Sequence, residues 1–458
     1  MLDLAIRGGT LVTASEILPA DAGVQEGRIA CIGQDVRGRE EIDATGLLVL
    51  PGAIDPHVHL AMPTGVTRSA DDWRSGTIAA ACGGTTTVID FVEPEPGERL
   101  ASALAKRRAE AADAVIDYGL HMTITDAREE TLAQIPDIVA AGAPTFKTYT
   151  VYEGFRLDDG QLLAVMAAVR DANGMVLTHC ENDAIVRRCT EALLAAGESG
   201  PGAYPRSRPI PAEGEAITRV LALAEVAQAP LYVVHISTAR GAAALREARA
   251  RGQRAYGETC PQYLLLTEVA YGRPGLEAAK FVCAPPLRAV MDNVALWKAL
   301  ARDEVQVVAT DHCPFNVVGQ KELGRDDFTQ IPGGLPSIEL RLSLVYGFGV
   351  VAKRLSLQRW VEVCSTAPAR LFGLYPQKGT LFPGADADIV LFDPEQRARV
   401  TQERLHEQVD YTPYEGLHLH GAPVMTLARG RVIAREGEFV GQIGTGRFLE
   451  RALSENHA

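Results

Sequence analysis

Apolar and polar positions alternate through the first fifty residues. DLAIRGGTLVT, DAGVQEGRIACIG and the run ending TGLLVLPG read as short strands separated by Gly-rich turns. The same pattern returns from about Gly379, in GTLFPGADADIVLFDP and PVMTLARGRVIAREGEFVG. Two β-rich ends around a long middle predict that the chain ends meet in one small β-domain.

The middle of the chain has a different rhythm. Eight apolar, β-rich runs fall at 53–60, 85–92, 117–125, 144–152, 174–181, 230–237, 254–263 and 305–314. Stretches with helical spacing separate them, such as ERLASALAKRRAEAADAV and DGQLLAVMAAVRDAN. Eight β-then-α units predict an α/β fold, a (β/α)₈ TIM barrel, with a smaller β-sandwich domain built from both chain ends. The expected division is sandwich at 1–51, barrel at 52–374, sandwich again at 375–440, and a C-terminal tail at 441–458 that is a candidate for oligomer contacts. Between the fifth and sixth strands the segment SGPGAYPRSRPIP reads as a surface loop before a helix.

Composition narrows the function. The 458 residues carry a formal charge of −13, which disfavours nucleic acid as a partner. MLDLAIRGGT lacks the cationic region of a signal peptide, and no apolar run approaches the roughly 18 residues of a membrane span. The eight cysteines are dispersed without a CxxC pair and read as reduced thiols of a cytoplasmic protein.

A TIM barrel keeps its active site at the C-terminal ends of its strands. His57 and His59 end the first run, Lys147 sits late in the fourth, His179 closes the fifth, His235 the sixth and Asp311 the eighth. Strand residues two apart face the same way, so His57 and His59 can converge on one ion, and neutral imidazole is a common zinc ligand. A second such pair, His418 and His420, lies in the β-rich tail away from the barrel and is not expected to bind metal. His121 reads as structural, and His312, beside Asp311, as a group supporting the ligands. Lys147 is the unusual member: an ammonium there must be exposed or ion-paired, lose its proton, or react with carbon dioxide to give an anionic carbamate.

PGAIDPHVHL, PTFKTYTVY, LTHCEN, VVHIS, ATDHCPF and GTLFPGADADIVLFDP, in that order, resemble the hydantoinase/dihydropyrimidinase family of the amidohydrolase superfamily, and the likeness runs nearly end to end. The resemblance implies two Zn²⁺ per subunit. His57, His59 and Asp311 would hold one, His179 and His235 the other, and Lys147, as N6-carboxylysine, would bridge both together with a hydroxide. It implies Asp311 as general base and acid, Tyr152 as a donor to the oxyanion, and backbone contacts to the substrate at Ala284 and Gly333. The family often has serine and asparagine at those last two positions, and a backbone contact survives the change. A small-molecule cyclic amide substrate and a homotetramer, or a homodimer, are also implied.

Dihydroorotase-like relatives carry an arginine soon after HxH to meet a substrate carboxylate. Here LAMPTG follows His59, which points to an uncharged ring. Hydrolytic opening of a hydantoin or 5,6-dihydropyrimidine to an N-carbamoyl amino acid is therefore expected. Allantoinase or another cyclic-amide hydrolase is the alternative. A non-catalytic scaffold is disfavoured because all six ligand positions are filled.

Overall fold

The computed structural model describes residues 1–65 and 67–453; the end of the predicted tail, 454–458, lies outside the described residues. Eight parallel strands form the barrel: β1 (Ala53–Val58), β2 (Thr85–Val92), β3 (Asp117–Thr123), β4 (Thr145–Tyr149), β5 (Met175–His179), β6 (Leu231–Val233), β7 (Ala255–Thr259) and β8 (Val307–Val308). They pair in sequence order, and a parallel bridge from Val58 to His312 brings the last strand back to the first. Every residue of β1 and β2 is buried, as expected of a wall packed on both faces.

The crossover helices begin where polar residues can cap them. Asp72 and Asp158 each accept from the backbone three residues on and form capping boxes with Ser75 and Gln161, starting helices Trp73–Cys82 and Asp159–Asp171. Asn182 and Thr238 cap the helices after β5 and β6.

Two sheets make the second unit. One contains Leu2–Arg7, Asp21–Gln25, Arg28–Gly33 and Gly38–Asp43; the other has seven strands, in which Leu48–Pro51 pairs antiparallel with Ile389–Arg399. That pairing joins the two chain ends. Leu4, Ile6, Val24 and Ile29 from the first sheet pack on Val49, Ile389, Leu391 and Leu427 from the second. Beyond it the chain runs along the N-terminal end of the barrel, where Gly446 donates to the Ala114 carbonyl and Tyr118 donates to that of Arg447.

Two differences from the sequence reading matter. The sixth and eighth strands are shorter than the runs that predict them, and past their ends His235 and Asp311 adopt positive φ (38° and 53°) as they enter the site. The segment expected as a surface loop instead forms the short turns Pro201–Ala203 and Tyr204–Ser207, with Tyr204 and Ser207 buried. Its proline and arginine content suggested solvent, but Arg208 is neutralised inside the protein by Glu181.

Candidate metal centre and active-site cleft

The strand ends deliver their side chains to one cleft of about 590 Å³. His57 and His59, two residues apart on and just after β1, place their Nε2 atoms 3.2 Å from each other. Asp311, just past β8, places Oδ1 3.2 Å from His57 Nε2 and 3.3 Å from His59 Nε2. These three form a group whose ligand atoms all lie within 4.8 Å of one another. Beside it stand His235, with its ring centroid 5.5 Å from that of His57, and His179, 4.6 Å from His235. Tyr152, in a positive-φ conformation (79°), holds its ring centroid 5.2 Å from that of His179 at a tilted 58° and lines the same cleft, as do Ala284 and Gly333.

Burial pushes His57 and His235 well below the ordinary imidazole range, and His179 is lowered too, so the rings carry lone pairs at neutral pH. Burial alone would raise the Asp311 carboxyl; the imidazoles of His57, His59 and His235 outweigh it and hold the group below the usual carboxylate range. Lys147 is 1% exposed. Among the described residues its amine makes no hydrogen bond or ion pair and only faces the rings of Phe91 and Tyr149 at 5.0 and 5.1 Å. Burial lowers it to about 8.

The donor set fits a cation centre. His57, His59 and Asp311 hold their ligand atoms within 4.8 Å of one another, and the buried His59 Nδ1 has no partner among the described residues. Glu258 on β7 accepts from His57 Nδ1, which fixes that ring with Nε2 toward the cleft. Glu181 accepts from His179 Nε2 at 2.7 Å and pairs with Arg208, leaving the other ring nitrogen of His179 for the cleft. Burial would raise Glu181, but Arg208 outweighs it and takes the carboxyl to about 2.

Sequence reasoning missed Glu258, Glu181, Arg208 and Glu93, a further carboxyl lining the cleft. Glu181 was recoverable, since it lies two residues past His179. Glu258 announced itself only as an acid inside the buried run AYGET. His121 is structural: Nδ1 lies 2.7 Å from Thr145 Oγ1 and Nε2 2.9 Å from the Pro56 carbonyl. His312 bonds Asp71 at 3.0 Å and is not among the residues that line the cleft. His418 and His420 lie on the sandwich strand His418–Ala428, outside the cleft.

The chain is similar to known proteins along almost its whole length. The model of the amidohydrolase family matches residues 48–433. A D-hydantoinase of Geobacillus stearothermophilus is 44% identical over 452 residues, covering 98% of this chain and 96% of its own. Among solved structures, a D-hydantoinase from a Bacillus species superposes with a TM-score of 0.97 at 44% identity, covering 99% of this chain and 100% of that one. A dihydropyrimidinase from Brevibacillus agri gives 0.97 at 43% identity, with 99% and 100% covered. The chain belongs to the amidohydrolase family, in its hydantoinase/dihydropyrimidinase branch.

Proposed function

We propose that the protein hydrolyses hydantoins and 5,6-dihydropyrimidines to N-carbamoyl amino acids in this cleft. The reading is carried by the convergence of His57, His59 and Asp311, with His179, His235 and Lys147 beside them, in a chain that matches D-hydantoinases along its length. The family implies a metal centre, and the ligand types favour two zinc ions. His57, His59 and Asp311 would hold one ion and His179 and His235 the other, with carboxylated Lys147 shared between them. When bound, the ions supply Lewis acidity and lower the pKa of water toward neutrality.

The chain's own groups do the rest. Water oxygen joins the ring carbonyl carbon, the C–N bond breaks, and the leaving nitrogen takes up a proton. Asp311 accepts that proton from water and returns it to the nitrogen. Its lowered pKa keeps the accepting carboxylate ionised throughout the neutral range. Burial raises the Tyr152 phenol, so its hydroxyl stays protonated and able to donate to the tetrahedral oxyanion. The backbone at Ala284 and Gly333 would meet the amide edge of the ring.

The cleft suits an uncharged ring. Met62, Pro63, Phe155 and Ile331 line it, Glu93 and Glu153 add negative charge, and Arg208 is committed to Glu181. No helix among the described residues is long and apolar enough to cross a membrane. We further infer a cytoplasmic homotetramer and a barrel unit spanning 52–374.

The test is a rate comparison of the zinc-loaded enzyme on hydantoin, 5-phenylhydantoin, dihydrouracil, allantoin and dihydroorotate. Hydantoins and dihydrouracil should be opened and dihydroorotate left intact; a preference for dihydroorotate, or no ring opening, contradicts the reading.

A further inference from the structure

Lys321 is a second buried lysine near the cleft, and the mechanism above does not use it. It is 0% exposed, begins the turn Lys321–Gly324 and makes no ion pair among the described residues. Its Nζ donates instead to two backbone carbonyls, Val282 at 3.0 Å and Pro332 at 3.2 Å. Burial lowers it to about 7, and a neutral amine has two N–H bonds, one for each carbonyl.

Those two carbonyls belong to separate segments. Val282 precedes Ala284 and Pro332 precedes Gly333, and both Ala284 and Gly333 line the cleft. The segments also touch directly: Gly334 donates its N–H to the Val282 carbonyl at 3.0 Å. A Cβ placed on Gly333 would lie 3.9 Å from Ala284 N, so the two backbones run side by side. The turn that carries Lys321 is wedged against the second segment, since a Cβ on Gly324 would come within 2.6 Å of Ile331 N.

The Pro332–Gly333 peptide is trans, so its carbonyl and N–H point in opposite directions. With the Pro332 carbonyl tied to Lys321, the Gly333 N–H is aimed away from that lysine. Neither Gly333 N nor Ala284 N donates to another group among the described residues. A carbonyl that accepts a strong donor also polarises its peptide and strengthens the N–H on the other side.

We propose that Lys321 is a positioning residue for substrate: it clamps the 282–284 and 332–334 segments in one register and so fixes the backbone groups of Ala284 and Gly333 that meet the ring's amide edge. The inference rests on the functional reading above. It places Lys321 in ground-state binding of the ring, so its loss moves KM more than kcat.

The test uses the metal-loaded enzyme and its Lys321→Met, Lys321→Gln and Lys321→Arg variants, with kcat and KM for hydantoin and dihydrouracil measured separately beside metal content. Lys321→Met should raise KM about tenfold, with kcat held within about threefold and metal content unchanged. Lys321→Gln and Lys321→Arg keep N–H donors and should recover part of the loss. A folded Met variant with the wild-type KM overturns the proposal, even if its melting temperature has fallen. If the Met variant does not fold, the Gln and Arg variants carry the test, and wild-type KM in both overturns it. Deuterium exchange in Lys321→Gln reads the clamp without turnover: peptides covering 281–286 and 331–336 should both exchange faster, and unchanged exchange refutes the clamp. If the wild-type enzyme opens no cyclic ureide, the functional reading fails, while the exchange result still judges the clamp.

Discussion

Two buried lysines mark opposite ends of the barrel, and they are opposites in chemistry. Lys147 and Lys378 are 1% and 2% exposed. Lys378 lies at the N-terminal end, where its Nζ is 2.6 Å from Asp117, 2.6 Å from Asp388 and 3.0 Å from Asp386. Burial would lower it, but those carboxylates outweigh burial and raise it above the ordinary lysine range. A cleft of about 1120 Å³ opens beside this network, nearly twice the volume at the strand C-termini, and is lined by Asp117, Asp386 and Arg429. Its size does not make it reactive, because Asp117 and Arg429 pair with each other and Asp386 with Lys378. Lys147, with no such partner among the described residues, has its amine brought down by burial to about 8. A satisfied buried charge holds two parts of the fold together; an unsatisfied one is available for chemistry.

The contrast can be broken most sharply at Lys147. Lys147→Ala should lose bound metal and at least about a thousandfold in kcat/KM while the protein stays folded. A short carboxylic acid added to the buffer should restore part of the activity. Full activity without rescue would place Lys147 with the structural lysines. The mirror experiment is Lys378→Met, which leaves three carboxylates buried without their cation. It should destabilise the protein by about 3–5 kcal/mol in denaturant unfolding, with kcat per folded molecule unchanged. A smaller effect belongs to Tyr152→Phe, which removes the proposed oxyanion donor and should lower kcat about a hundredfold with metal content intact.

The finest test is pH. Only the neutral amine of Lys147 can react with carbon dioxide. With a pKa of about 8, the reactive fraction rises about fivefold from pH 7 to pH 8 and less than about twofold from pH 8 to pH 9. Activation of metal-free protein by zinc, at constant dissolved carbon dioxide from pH 6.5 to 9, should follow that curve. A rise still close to about tenfold between pH 8 and pH 9 would indicate an ordinary exposed lysine.

Much of this was legible in the sequence. The eight barrel strands lie within the runs picked out by apolar patterning, and the two β-rich ends form the two-sheet unit, because burial on a wall or in a sandwich imposes a period that the residues must carry. His57 and His59 were readable for the same reason. What lay hidden depended on contacts between distant segments. Glu258 orients His57 from 201 positions away, and Lys321 reaches Val282 across 39. Arg208 looked like part of a solvent loop because nothing local shows that Glu181 waits for it inside. The positive φ of Tyr152, His235 and Asp311 was also unreadable, since no glycine marks those turns.

Anomalous X-ray scattering at the zinc edge, recorded from crystals of zinc-loaded enzyme, tests the central claim most directly. The account predicts two peaks per subunit, one among His57, His59 and Asp311 and one against His179 and His235, with extra density on the Lys147 amine between them. No peak within that cluster, or an unmodified amine with the ligands dispersed, would contradict it.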